Sequence, residues 1–351
     1  MSVQYVKLGD VCAKDSSNIA QKDLKDCFGK YPVYGAGGYI QNVDFYHQED
    51  EYIAIVKDGA GVGRAMILPA KSSVIGTMQY IIPDKNKVDM YYLYYAIINM
   101  ALGKYFSGAT IPHIYFKDYQ KEIFKLPDLE TQKKIADNLK NIDLIIAKKN
   151  KQIGLFNELV KSRFIEMFGD PVKNEKNLPL EQLSKIGILE RGKSQYRPRN
   201  APGLLGGPYP LIQTGDVSNS NIYITTYSNT YSELGLKQSK LWEPGTLCIT
   251  IAANIAQTAI LTFKACFPDS VVGFIPNNNT NIIFIHYWFG FFQKVLEEQA
   301  PQVAQKNINL KILSELKVIL PSIELQNEFA DFVKQTDKSK FVIQKSLNYL
   351  L

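Results

Sequence analysis

Cysteine and histidine are scarce: four and three, respectively, in 351 residues. Cys12, Cys27, Cys248 and Cys266 form no C-x-x-C pair, so neighbouring residues cannot assemble the closely spaced thiolate or imidazole ligands of a zinc or iron-sulfur site. Reduced, buried thiols in a cytoplasmic protein are the expectation. No apolar run reaches the roughly 18 residues that span a bilayer. The opening Met1-Ser-Val-Gln-Tyr5 lacks a basic and then apolar leader pattern, so neither membrane insertion nor export is expected. Pro-Pro is absent, and with it the Asn/Asp-Pro-Pro-aromatic element with which amino-directed DNA methyltransferases grip a flipped base. No nucleophile-elbow sequence occurs either.

What is present is apolar content of 46%, enough for two globular domains with proper cores. The net charge of +6 suits a polyanionic partner but is too mild to establish one.

The sequence is written twice. Leu126-PDLETQKKIADNLKNID ending at Asp143 aligns without gaps on Leu320-PSIELQNEFADFVKQTD ending at Asp337. The two segments share Leu126/Leu320, Pro127/Pro321, Glu130/Glu324, Gln132/Gln326, Ala136/Ala330, Asp137/Asp331 and Asp143/Asp337. Upstream, Tyr31-Pro-Val-Tyr34 answers Tyr209-Pro-Leu-Ile212, Ile82-Pro83 answers Ile275-Pro276, and the segment 108–114 answers 302–308. Each copy is thus a divergent globular part followed by a better-matched tail. His47, His113 and His286 have no histidine counterpart in the other copy, which argues against a shared histidine chemistry.

Each tail starts as a helix should: proline ends what precedes it, Asp128 can cap the free amides, and acidic residues follow at the positive end of the dipole. The first helix should run to about Phe168, where Gly169-Asp-Pro171 stops it. Ile135, Leu139, Ile142, Ile146, Lys149, Ile153, Phe156, Val160, Arg163 and Met167 recur at alternating spacings of four and three, a coiled-coil seam. The same register gives Phe329, Val333, Thr336, Lys340, Ile343, Leu347 and Leu350 in the second. Two stripes in phase point to pairing of the helices with each other, through Ile135, Leu139, Ile142, Ile146, Ile153 and Phe156 against Phe329, Val333, Ile343 and Leu347. A central helix of this length would measure roughly 60 Å and act as a spacer.

The globular parts carry short β-like runs between turn residues, then an aromatic stretch (Met90–Asn99, Phe284–Gln293) that is scaffold if it packs in both copies. The whole is an α+β chain of two similar globular domains, separated and followed by long helices that pair as an antiparallel coiled coil, an internal pseudo-twofold repeat. Lys57-DGAGVG-Arg64 invites comparison with a phosphate loop, but its spacing is G-x-G-x-G and a strand follows where a helix should. Its counterpart, Thr250–Thr258, bears Asn254 and Gln257, which suits a loop between strands that meets a ligand differently in each copy. A PD…ExK metal cluster in Pro127, Asp128, Glu130 and Lys133 falls on a helix start where Asp128 is explained as a cap, and the second copy has Ser322 in its place. The run Lys185–Asn200, with Arg191, Lys193, Arg197 and Arg199, could contact phosphates or be a solvated loop.

The Leu-Pro-x-[Leu/Ile]-Glu-x-Gln start of both helices, and Phe164-Ile-Glu-Met-Phe-Gly-Asp-Pro171 closing the first, resemble the specificity subunit of type I restriction-modification systems over essentially the whole chain. The resemblance implies target recognition domains at 1–126 and 174–320, a central spacer helix at 127–173 and a C-terminal one at 321–351. It implies a non-catalytic, DNA-reading subunit in which each domain reads half of a bipartite target in double-stranded DNA. The helices would set the gap and dock two methyltransferase subunits, and restriction/translocase subunits would complete the assembly. S-adenosylmethionine, ATP and magnesium would sit on those partners and no cofactor or metal on this chain. Candidate DNA-reading residues are polar, placed in loops and different between copies: Lys57, Arg64, Thr110 and His113 in the first, and Arg191, Lys193, Arg197, Arg199, Gln213, Asn254, Gln257, Gln305, Lys306 and Asn307 in the second. The competing reading is a coiled-coil adaptor whose globular halves bind protein or glycan.

Overall fold

The structure is a computed structural model that describes residues 4–108, 111–196, 198–252, 255–292 and 308–350. The chain divides into two compact units, 1–148 and 149–351, with the boundary inside the central helix Leu129–Phe168.

In the first unit, Tyr52-Ile-Ala-Ile-Val56 is a strand buried along its whole length, as a continuous apolar run requires. It lies in an antiparallel sheet of order Cys12–Ser16, Met78–Pro83, Tyr52–Val56, Ala65–Leu68. Because strand side chains alternate faces, Ile53 and Ile55 enter the core formed with Leu93 and Ile97. Tyr52, Ala54 and Val56 enter a second core with Val74, Met78 and Tyr80. A smaller sheet holds Gly38–Val43, Tyr31–Gly35 and Ser73–Val74. A ribbon of Gln4–Lys7 with Ile123–Leu126 ties the first strand to the segment that leads into the central helix.

The second unit repeats this plan. Its larger sheet runs Gly187–Arg191, Val271–Pro276, Leu247–Thr250, Thr258–Leu261, Tyr223–Ile224, and its smaller one Asn229–Tyr231, Leu205–Leu211, Ala265–Cys266, Leu241–Trp242. Leu180–Gln182 with Lys317–Ile319 forms the equivalent ribbon. The repeated Ile-Pro pairs occupy matching ladder positions: Pro83 faces Cys12, and Pro276 faces Gly187, where each first strand begins. Ile114 and Ile308 are both buried.

The aromatic stretches are scaffold helices. Met90–Met100 is capped by Asp89, which accepts from Tyr92 N at 3.0 Å, and Ile282–Phe289 is capped by Asn281, which accepts from Ile283 N at 2.9 Å. Their apolar faces, Leu93 and Ile97 in one and Phe284 and Trp288 in the other, are buried.

The tail motif has a structural reason. Buried Gln132 accepts from Asp89 N at 2.8 Å and donates to the carbonyls of Lys87 (3.1 Å) and Pro127 (2.7 Å). Gln326 repeats the device, accepting from Asn281 N at 2.8 Å and donating to Asn279 (3.1 Å) and Pro321 (2.8 Å). One glutamine thus pins each long helix to the cap of its aromatic helix, with its own buried amide group fully hydrogen-bonded. Asp128 is a cap, accepting from Thr131 N and Oγ1, both at 2.9 Å, and these hydrogen bonds hold its carboxyl below the usual range. Ser322 caps the C-terminal helix Ile323–Asn348.

The central helix stops where its sequence says. Gly169 takes φ +75° with its N–H on Ile165 O at 2.7 Å, and the Lys176 ammonium donates to the carbonyls of Glu166 and Met167, favourable at the negative end of the dipole. Within the second unit this helix runs antiparallel to Ile323–Asn348: Lys149 Nζ donates to Ser346 Oγ at 2.7 Å and Arg163 pairs with Glu328 at 3.0 Å. Val160, Phe164 and Phe168 share a core with Phe329, Ala330, Val333 and Phe284. The Phe164 ring lies 5.4 Å from Phe329 and 5.5 Å from Phe284.

Along the central helix, Leu139, Ile142, Ile146, Ile153 and Phe156 are half-buried, and along the C-terminal one Phe329, Val333 and Leu347 are buried with Ile343 half-buried. Ile135 departs from the expected stripe: it is exposed, and Gln132 and Ala136 are the buried positions of that turn. The glutamine anchor rotates the inward face of the first turns toward these residues.

Candidate nucleic-acid interface

Lys57–Arg64 is the loop of a hairpin between Tyr52–Val56 and Ala65–Leu68, closed by Gly63 N to Val56 O at 2.8 Å and Val56 N to Arg64 O at 2.9 Å. Gly59, Gly61 and Gly63 take φ of +83°, +84° and +86°, a left-handed series that favours glycine. At Gly63 there is also no room, since a Cβ would lie 2.3 Å from Gly103 N. A strand follows the loop, so no helix N-terminus is offered to a phosphate.

Ser107 and residues 112–114 build a backbone zipper against this loop. Gly59 N donates to Pro112 O at 2.9 Å, Ile114 N to Lys57 O at 3.0 Å, and His113 and Ser107 exchange backbone bonds at 2.9 Å each. The His113 ring bonds the Asp58 carboxylate through Nδ1 and lies 4.1 Å from the Tyr115 ring, over which Lys117 Nζ sits at 5.1 Å. Lys14 and Lys117 line one surface depression with Tyr115. Burial first, then the nearby Lys14 charge, depresses the Lys57 ammonium; burial first, then Lys57, depresses His113. Among the described residues Lys14, Lys57 and Lys117 have no ion pair, so their charge is available to a polyanion. Of the residues singled out in this half, Lys57 and His113 meet here. Arg64 is turned to the carbonyl of Ala36, and Thr110 lies outside the described residues. Lys14, Asp58, Tyr115 and Lys117 went unselected. The alternation His113-x-Tyr115-x-Lys117 was the available signal, and nothing local links it to Asp58.

In the second unit the equivalent hairpin loop is closed by Thr250 N to Gln257 O at 3.0 Å and Ala256 N to Thr250 O at 2.8 Å. Gln257 is exposed. Thr258 Oγ1 lies 2.9 Å from Nδ1 of half-buried His286, whose pKa desolvation lowers to about 4. The basic run behaves differently from a free phosphate-binding arm. Arg191 donates to the Asp269 carbonyl, Arg199 pairs with the Asp269 carboxylate at 2.6 Å, and Lys193 lies 3.8 Å from Glu190, which also pairs with Lys240. Lys193 and Arg199 thus each face a carboxylate, while Arg191 is held by a backbone carbonyl. Gln213 precedes the short helix Thr214–Ser218 and accepts from Asn229 Nδ2 at 3.0 Å. Arg197, Asn254, Gln305, Lys306 and Asn307 lie outside the described residues.

Among the described residues no group of three or more His, Cys, Asp or Glu side chains could hold a metal ion, and no helix is long and apolar enough to cross a membrane. Burial pushes Cys12 up to about 12 and Cys248 and Cys266 upward as well, which leaves these thiols unreactive.

The family model described as type I restriction modification DNA specificity domain matches residues 2–155 and again 178–350. A putative type I restriction enzyme MjaX specificity subunit of Methanocaldococcus jannaschii is 26% identical over 276 residues, 73% of this chain and 63% of that protein. The chain thus spans a little under two thirds of that relative's length. The type I restriction enzyme MjaVIII specificity subunit of the same organism is 25% identical over 329 residues, 85% of this chain and 75% of that protein. Among solved structures, that of a type I restriction-modification system S subunit from M. genitalium superposes with a TM-score of 0.62 over 99% of this chain and 93% of its own. Its identity is 17%, so the likeness is one of fold.

Proposed function

The chain belongs to the family of type I restriction modification DNA specificity domains, and we propose that it is the non-catalytic, DNA-reading subunit of a type I restriction-modification complex. Each unit reads one half of a bipartite target, the long helices fix the gap, and the helix surfaces dock two methyltransferase subunits. S-adenosylmethionine, ATP and magnesium belong to the partner subunits, which with the restriction/translocase subunits act in the cytoplasm.

The observation that carries this reading is the pairing of one topology with two chemistries. The ladders, caps and glutamine anchors coincide in both units. The loops at the same hairpin differ: glycines beside an uncompensated lysine cluster in one, a glutamine-bearing turn in the other. Bases are discriminated by donors and acceptors brought to their edges, while phosphate contacts position the reader. Two half-sites of different sequence require that arrangement.

The test is to express the chain with its methyltransferase and map methylated adenines across the host genome. A bipartite motif with a fixed gap is expected, lost when the chain is deleted. Methylation unchanged on deletion, with every partner intact, would refute the assignment. An adaptor for protein or glycan would show no salt-dependent DNA binding in the complex.

A further inference from the structure

The His113 environment goes further than a list of polar loop residues. Its backbone N–H and C=O are both spent on Ser107, and its ring Nδ1 on Asp58. Among the described residues Nε2 has no partner, so it is the one polar atom of His113 left for a ligand. The ring is positioned from three sides: by the Asp58 carboxylate, by Tyr115 at 4.1 Å, and by a backbone zipper that joins residues 57–59 to 112–114. A carboxylate behind a histidine fixes the tautomer, placing the proton on the nitrogen that faces it.

We propose that Asp58 holds His113 with Nδ1–H donated to its carboxylate, so that Nε2 is a bare acceptor and the first domain reads an exocyclic amino group, adenine N6 or cytosine N4, at one position of its half-site. The proposal rests on the DNA-reading assignment above and deepens it.

The charges facing the ring decide its polarity. Burial of the ring and then Lys57 hold the His113 pKa below its usual value, and Asp58, which bonds Nδ1, fixes where the single proton of the neutral ring sits. A neutral ring with Nδ1–H presents an acceptor. A protonated ring would present a donor and would seek an acceptor instead, such as guanine O6 or N7, adenine N7 or thymine O4. Lys14, Lys57 and Lys117 surround the site without an acidic partner of their own and suit the flanking phosphates.

The experiment uses the full chain in complex with its methyltransferase and duplexes carrying the mapped motif. Position by position, adenine is replaced by purine and cytosine by 2-pyrimidinone, each lacking only the amino group. At one first-half position the wild-type complex should lose about tenfold in affinity, and His113→Ala should lose as much and gain no further loss from the analogue. The position that couples tells adenine from cytosine. Asp58→Asn, which keeps the volume, should weaken that same discrimination and shift the His113 ring nitrogen NMR signals away from the Nδ1–H pattern. Second-half discrimination should be unchanged in both variants, which checks that they are folded. The inference is overturned if no first-half amino group couples to His113, or if the ring is Nε2–H or doubly protonated at neutral pH. A chain that directs no sequence-specific methylation would instead overturn the DNA-reading assignment and this inference with it.

Discussion

His286 shows how a single residue makes stability depend on pH. Burial depresses its pKa from the ordinary 6.5 to about 4, because the charged form would lose its hydration. Between these values the unfolded chain binds a proton that the folded chain does not, so stability falls as pH drops from about 6.5 to about 4. The full loss is on the order of 3 kcal/mol, and above pH 6.5 the group contributes nothing. The expected result is a urea midpoint that declines across this window in the wild type and declines less in His286→Gln, once variants are compared at equal pH. Parallel declines would show that the histidine is not held neutral. The sequence offered His286 only as a histidine without a counterpart; its burial depends on packing between Thr258 and the aromatic helix, 28 positions along the chain. The same distance problem hid Asp58 behind His113 and Asp269 behind Arg191 and Arg199. Side-chain chemistry was legible, but its neutralisation by residues remote in sequence was not.

At the scale of elements the sequence was most informative, because helix signals are local. Asp128, Ser322, Gly169 and the spacing of the seam residues each act within a few positions, and the central helix ends at Phe168, as its Gly-Asp-Pro stop demands. The Ile135 exception arises from a long-range contact, the Gln132 bonds to the loop before the aromatic helix. Substitutions at the glutamine anchor and in the helix packing probe the two separately. Gln326→Ala removes three hydrogen bonds and strands the Asn281 amide and two carbonyls in a buried place, so a loss of about 2–3 kcal/mol is expected. Gln326→Glu should be comparably damaging, since a carboxylate cannot donate to the carbonyls of Asn279 and Pro321. Where the central and C-terminal helices pack on the aromatic helix, Phe164→Ala should cost about 3–5 kcal/mol, its ring being fully buried against Phe168, Phe284, Phe291 and Phe329. Leu155→Ala, on a side chain 58% exposed, should stay within about 0.5 kcal/mol. Equal effects in chemical denaturation of the full chain would mean that the helices do not pack in this way.

For the whole molecule, duplication was legible because the tails match without gaps, whereas the way residues 57–59 and 112–114 meet was not, since strand order is set by ladders that no local pattern specifies. Duplication also separates two functions that can be altered independently. If each unit reads its own half-site, exchanging residues 1–126 for the corresponding part of another family member should change one half of the methylated motif and leave the other half and the gap untouched. If the helices set the gap, inserting seven residues between Asp143 and Lys149 should lengthen it with both halves intact. A heptad preserves the phase of the seam, and the insertion lies N-terminal to the hydrogen bond of Lys149 with Ser346 of the C-terminal helix. Seven residues add about 10.5 Å of helix, equivalent to roughly three base pairs. Methylome mapping reads both outcomes in one experiment. A reader exchange that altered both halves, or an insertion that kept the motif active at its original gap, would show that recognition and spacing are not carried by separate parts of the chain.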